Sequence, residues 1–213
     1  MDSSTYKLWQ ILQFGDVIPL DVSINKSIKD DLQRYANRWA TYNPRTNIPR
    51  EGLCVINERG EVGPGPALDS LKQYNQQHGT RWNETDFNLT TDLYHSSGAL
   101  QELLSDIVDS CVRTHFIKLP PGGFFPPHRD HTKGVQNTFR LIVPIQNCNP
   151  PYCRFILEDK SLWFEQNKMY FINTTKQHSL FNASPKRDSI WLVINAVLND
   201  KTVEYVIDNL DEK

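Results

Sequence analysis

From residue 114 onward the chain reads as eight short apolar runs separated by turn signals, and this pattern limits the fold more than any other feature. The runs are His115–Leu119, Pro127–Thr132, Asn137–Gln146, Arg154–Glu158, Leu162–Glu165, Met169–Asn173, His178–Asn182 and Arg187–Leu198. Turn formers separate them at Pro120–Gly123, Asn147–Tyr152, Asp159-Lys160 and Ala183–Lys186. Strands of this length and spacing predict a double-sheet jelly roll or cupin-like barrel.

The first half has a different character. Residues 6–22 read as one or two short strands. A helix is expected from Ser27 through Ala40, with apolar residues three and four apart and a stop near Asn43-Pro44. Gly52–Asn57 reads as a short strand, and Ala67–His78 as a helix closed by Gly79. A second amphipathic helix runs from Ser96 through Val112, packed on the outside of a sheet. Residues 43–80 are rich in Pro, Gly, Asn and charge, and residues 81–96 carry Trp82, Phe87 and Leu93 without clear periodicity and read as connecting loops, a lid or a substrate wall. The expected fold class is mainly β with flanking helices around a double-stranded β-helix core. Within a single domain, residues 1–113 form a mixed α/β elaboration, 114–198 the jelly roll and 199–213 a tail.

Formal net charge is −2 over 213 residues, and no basic stripe occurs. This argues against nucleic acid or an anionic membrane as partner. A small anion remains compatible, since one or two Arg suffice to hold it. No apolar stretch approaches the ~18 residues of a membrane span. The opening Met1-Asp2-Ser3-Ser4 is polar, so a cytoplasmic setting is expected, with Cys54, Cys111, Cys148 and Cys153 reduced.

One stretch carries chemistry: Gly122-Gly123-Phe124-Phe125-Pro126-Pro127-His128-Arg129-Asp130-His131. On an extended strand, residues two apart face the same way, so His128 and Asp130 can converge. His178, in Lys176-Gln177-His178-Ser179-Leu180-Phe181, opens a later run and is the best third member. Two imidazoles and a carboxylate with open positions suit non-heme Fe(II). The bland alternative is a chance His-x-Asp pair, since most histidines are surface or core residues. His131, three residues on, falls off the metal-facing side and reads as a neighbour. His115 and the Cys148/Cys153 pair read as structural.

Arg187, Ser189, Trp191 and Val193 share one face of the last apolar run. A buried Arg needs an anion, and Ser189 can add a hydrogen bond to it. Arg140, ahead of Leu141-Ile142-Val143-Pro144-Ile145, makes the same case. A structural ion pair with an Asp or Glu accounts for either Arg alone. Both Arg beside His128, Asp130 and His178 favour a small dicarboxylic acid near the metal.

Leu119-Pro120-Pro121-Gly122-Gly123, Pro127-His128-Arg129-Asp130, Phe139-Arg140-Leu141-Ile142-Val143-Pro144, His178–Ser184 and Arg187-Asp188-Ser189-Ile190-Trp191 resemble the Fe(II)/2-oxoglutarate-dependent oxygenases. The resemblance covers about residues 114–198. Its nearest branch is the aspartyl/asparaginyl β-hydroxylase-like group, similar also to some free-proline hydroxylases. It implies that His128, Asp130 and His178 bind the iron and act in catalysis. Arg187 then holds the far carboxylate of 2-oxoglutarate with help from Ser189, and Arg140 lines the same pocket. The implied reaction hydroxylates a C–H bond of an amino-acid side chain, aspartyl/asparaginyl or prolyl in type, free or in a peptide. It consumes O₂ and releases succinate and CO₂. Animal-type members lack the carboxylate ligand, whereas this chain has Asp130, which leaves the substrate open. The alternatives are a cupin-like metal-dependent enzyme without redox chemistry and a non-catalytic jelly-roll binding module.

Overall fold

A computed structural model describes residues 3–24, 27–130 and 137–211. Along them run α1 (Ser3–Leu12), β1 (Val17–Ser23), α2 (Ile28–Arg34), β2 (Ala40–Thr41), β3 (Glu51–Cys54), β4 (Ile56–Asn57), α3 (Leu71–His78), β5 (Leu89–Thr90), α4 (Asp92–Ser96), α5 (Gly98–Leu104), β6 (Cys111–Leu119), β7 (Phe124–His128), β8 (Thr138–Gln146), β9 (Cys153–Leu157), β10 (Lys160–Leu162), β11 (Lys168–Ile172), β12 (His178–Asn182), β13 (Ser189–Val197) and α6 (Asp200–Asp208).

Two antiparallel sheets face each other. The larger has the order β1-β11-β8-β13-β6-β3-β2 and the smaller β10-β9-β12-β7. Alternation along the strands separates two cores. Ile117, Leu119, Ile142 and Trp191 on the large sheet pack against Phe155, Leu157 and Leu180 on the small one. Phe116, Leu141, Leu192 and Ile194 turn the other way, onto helical residues such as Leu100, Leu104, Val203 and Val206. Burying each such side chain stabilises the fold by about 1.5–3 kcal/mol. The architecture is the expected one: mainly antiparallel β sheets with a few helices, in a jelly-roll arrangement.

The first half departs from its sequence reading. Residues 3–12 form a helix, not a strand, because Leu8 and Ile11 lie three apart and turn inward together, while Tyr6 and Trp9 stay exposed. The helix from Ser27 ends at Arg34. Beyond a short turn at Ala36–Arg38, Ala40 pairs with Gly52 at the sheet edge. The expected helix from Ser96 to Val112 is broken into α4, α5 and a turn at Val108–Ser110. Ser97 caps α5 by accepting from the Leu100 N–H, and Cys111 already belongs to β6. The stretch expected as a tail contains α6, capped by Asn199 and anchored by buried Val203 and Val206. Strands β1, β2 and β3 complete the large sheet, so these segments of the first half are part of the barrel wall.

Candidate active site

His128 closes β7 and His178 opens β12, and the two are direct partners across the antiparallel pair. Their ring centroids lie 4.2 Å apart. Asp130 lies just past the end of β7. A bond from its backbone N–H to the Thr174 carbonyl (2.9 Å) folds it back toward the histidines. Its convergence therefore comes from a bend and not from strand alternation. Ligand atoms of His128, Asp130 and His178 all lie within 4.8 Å of one another. Asp130 Oδ1 is 3.6 Å from His128 Nε2.

The tautomers follow from the neighbours. His128 Nδ1 lies 2.7 Å from the Pro126 carbonyl, and His178 Nδ1 lies 3.1 Å from the Lys176 carbonyl. A carbonyl only accepts, so each Nδ1 carries a hydrogen, and Nε2 is the nitrogen left to face a metal. Backbone anchoring of the non-ligating nitrogen is the usual arrangement at a metal-binding histidine. Burial lowers the pKa of His178, against the opposing pull of Asp130, and so favours the neutral ligand form. Two imidazoles and a carboxylate fit a divalent transition metal.

The cluster opens onto a cavity of about 720 Å³. Arg140, on β8, points into it and sets its Nε 3.2 Å from Asp130 Oδ2. Glu84 is the hub behind. It takes Arg113 Nη1 at 2.5 Å and Asn195 Nδ2 at 3.0 Å, and lies 3.7 Å from Arg140 Nη2. Arg113 also donates to the carbonyls of Ala67 and Asp69. The loop between β4 and β5 is thereby tied to the metal-facing carboxylate through Arg113, Glu84 and Arg140.

The other two expected cofactor residues are not brought to this cavity. Arg187 is exposed, its guanidinium 5.0 Å from the centre of the Tyr152 ring, and it borders a separate surface cleft with Lys29 and Asp188. The strand alternation used to bury it does not reach so far, since β13 begins only at Ser189. Ser189 is fully buried and does not line the cavity. It accepts from Trp191 Nε1 (2.8 Å) and faces Cys148 Sγ. Neither is available to a ligand at the histidines. His131 lies outside the described residues. All four cysteines are unpaired and buried, as expected for structural thiols.

Cavity residues that the sequence does not assign to the site include Glu84, Arg113, Asn195, His115 and Arg50. His115, which reads as structural in the sequence, lines the cavity 3% exposed. Its Nδ1 bonds the Arg113 carbonyl (3.1 Å), while Nε2 has no partner. Arg50, from the loop before β3, lies over the Phe125 ring at 4.4 Å. Position in an inward-facing strand register points to His115. No signal in the sequence marks Arg50.

Among the described residues, no helix is long and apolar enough to cross a membrane. The sequence model of the family described as Aspartyl/Asparaginyl beta-hydroxylase matches residues 46–196. No curated protein matches the chain significantly. Similar solved structures include an oxidoreductase of the 2OG-Fe(II) oxygenase family from Burkholderia pseudomallei, with 9% identity, a TM-score of 0.46 and coverage of 93% of this chain and 92% of that one. A predicted oxalate decarboxylase from Thermotoga maritima is 17% identical, with a TM-score of 0.33 over 42% of this chain and 69% of its own. The cupin domain of Cnp3 from Schizosaccharomyces pombe is 11% identical, with a TM-score of 0.33 over 48% and 66%.

Proposed function

Because this chain belongs to the aspartyl/asparaginyl β-hydroxylase family, we propose that it is a cytoplasmic Fe(II)- and 2-oxoglutarate-dependent dioxygenase that hydroxylates a C–H bond of an amino-acid side chain, free or in a peptide. In this reading the whole chain acts as one oxygenase domain with its catalytic core over residues 114–198. The carrying observation is the convergence of His128, Asp130 and His178, with both Nδ1–H groups held by backbone carbonyls.

Bound Fe(II), with 2-oxoglutarate and O₂, supplies the oxidising power for hydroxylation and yields succinate and CO₂. The protein's residues supply the rest. His128 and His178 offer imidazole nitrogens fixed by their backbone bonds, and Asp130 offers a carboxylate. Arg140 holds the Asp130 carboxylate in orientation and in turn leans on Glu84. Ile142, Phe155 and Leu180 give the cavity apolar walls that limit water near the reacting C–H bond. The remaining polar wall orients the substrate.

The test is succinate release by the purified protein with Fe(II), 2-oxoglutarate and O₂, screened across amino acids and peptides. At least one compound should stimulate release, and His178→Ala should abolish it. No succinate from the intact protein, with or without any compound, contradicts the reading.

A further inference from the structure

Buried polar atoms are nearly always hydrogen-bonded, and exceptions call for an explanation. Among the described residues, six of the seven buried side-chain atoms without a partner belong to residues lining this one cavity. They are Arg50 Nε, Arg140 Nη1, His115 Nε2, Asn195 Oδ1, Asn43 Oδ1 and Thr174 Oγ1. The set contains guanidinium donors and bare acceptors together. 2-Oxoglutarate carries acceptors only, so it can satisfy the guanidinium groups but not His115 Nε2 or Asn195 Oδ1.

Arg50 is the odd member. It is 5% exposed, and among the described residues no carboxylate is paired with it. Its neighbours are the Phe125 ring, the Tyr42 ring at 5.8 Å and the Thr46 hydroxyl at 3.0 Å. Burial pulls its pKa down, against a smaller opposing pull from Tyr42. A buried charge lacking a partner is costly, so a guanidinium held in an aromatic cage and open to a cavity is built to receive an anion. Tyr42 connects it to the acceptor, since the Tyr42 and His115 rings lie 5.5 Å apart. Phe125 connects it to the metal-facing side, with its ring 6.3 Å from that of His128.

We propose that Arg50 and His115 form the substrate-recognition pair of the cavity: Arg50 binds a carboxylate, and His115 Nε2 accepts a hydrogen bond from an N–H of the same molecule. The ligand class is an acid with an N–H close by. A free amino acid and an acidic residue within a peptide both fit. The proposal rests on the oxygenase reading for the word substrate, but its binding chemistry is measured separately.

The experiment is calorimetric binding to Co(II)-loaded protein. The probes are the free L-amino acids, capped tripeptides with central Asp or Glu, and the carboxamide counterpart of each acid. At least one acid should bind about tenfold or more tightly than its carboxamide. Arg50→Met should remove that preference by weakening the acid alone, and Arg50→Lys should restore part of it. His115→Phe should weaken the same acid while leaving 2-oxoglutarate binding unchanged. Preference among free acids assigns the site to a free amino acid, and preference among tripeptides to a residue in a chain. Either supports the proposal. It is overturned if the native protein shows no acid preference, if folded Arg50→Met retains it, or if Arg50→Met loses 2-oxoglutarate instead. Fe(II) uptake by the same proteins separates the two claims: uptake without acid preference sinks only this one, and no uptake sinks the oxygenase reading.

Discussion

His128 and His178 are partners in one antiparallel register, their rings 4.2 Å apart across β7 and β12. Two residues far apart in the chain thus become direct cross-strand neighbours. Asp130 joins them through a backbone bond to Thr174, so the ligand geometry is set by main chain before any side chain moves. Perturbing the supports should therefore be as informative as perturbing the ligands.

Arg140 compensates two acids, Asp130 and Glu84, at the cavity wall. Arg140→Met should destabilise the metal-free protein by about 2–3 kcal/mol, because charged hydrogen bonds are lost and both carboxylates stay behind. Adding Glu84→Gln should cost less than the two single changes together. Urea unfolding of the four proteins measures this coupling.

Gly123 sits where a Cβ would meet the Pro49 carbonyl at 2.4 Å and the Pro120 carbonyl at 2.9 Å. Both are backbone atoms that cannot swing aside. Gly123→Ala should cost about 1–3 kcal/mol through overpacking. It should also shift the segment that carries Arg50, which adjoins Pro49. Thermal unfolding measures the first effect, and ligand calorimetry the second.

Burial, helped by the Arg113 charge, holds the pKa of His115 down to about 3, against 6.5 in the unfolded chain. Between these values the unfolded state binds the extra proton, so stability rises with pH across that window. As pH falls from about 6.5 toward 3, His115 should remove up to about 1.4 kcal/mol per unit. Above pH 6.5 it contributes no slope. The difference between the native protein and His115→Gln, followed by urea unfolding at several pH values, isolates this part.

Arg187 lies on the surface against Tyr152. Arg187→Ala should change stability by at most about 1 kcal/mol and leave 2-oxoglutarate binding intact. A large loss of 2-oxoglutarate affinity, read by calorimetry, would restore the sequence-based expectation for this residue.

The contrast between Arg187 and Arg140 shows what was legible in the sequence. The strands after residue 114 are readable because alternation and turn residues punctuate them, and His128 and His178 come with that frame, whereas Asp130 lies past the end of β7 and is brought in by a bend that alternation does not encode. Arg140 lies inside a strand, where alternation correctly aims it inward. Arg187 lies two residues before its strand begins, where alternation carries no information. Arg50 is placed by loop packing against β7, through contacts distant in sequence that no local pattern encodes. The helix over residues 3–12 was misread because a short apolar run fits both periods. Tertiary packing of Ile11 decided between them.

The central claim is that His128, Asp130 and His178 hold Fe(II) in a form that binds 2-oxoglutarate. The most direct measurement is visible absorption after anaerobic addition of both to the purified protein. A metal-to-ligand charge-transfer band is expected. It should be absent from His128→Ala and Asp130→Ala, provided circular dichroism shows both variants folded. No band from the intact protein, or an undiminished band from either folded variant, would contradict the account.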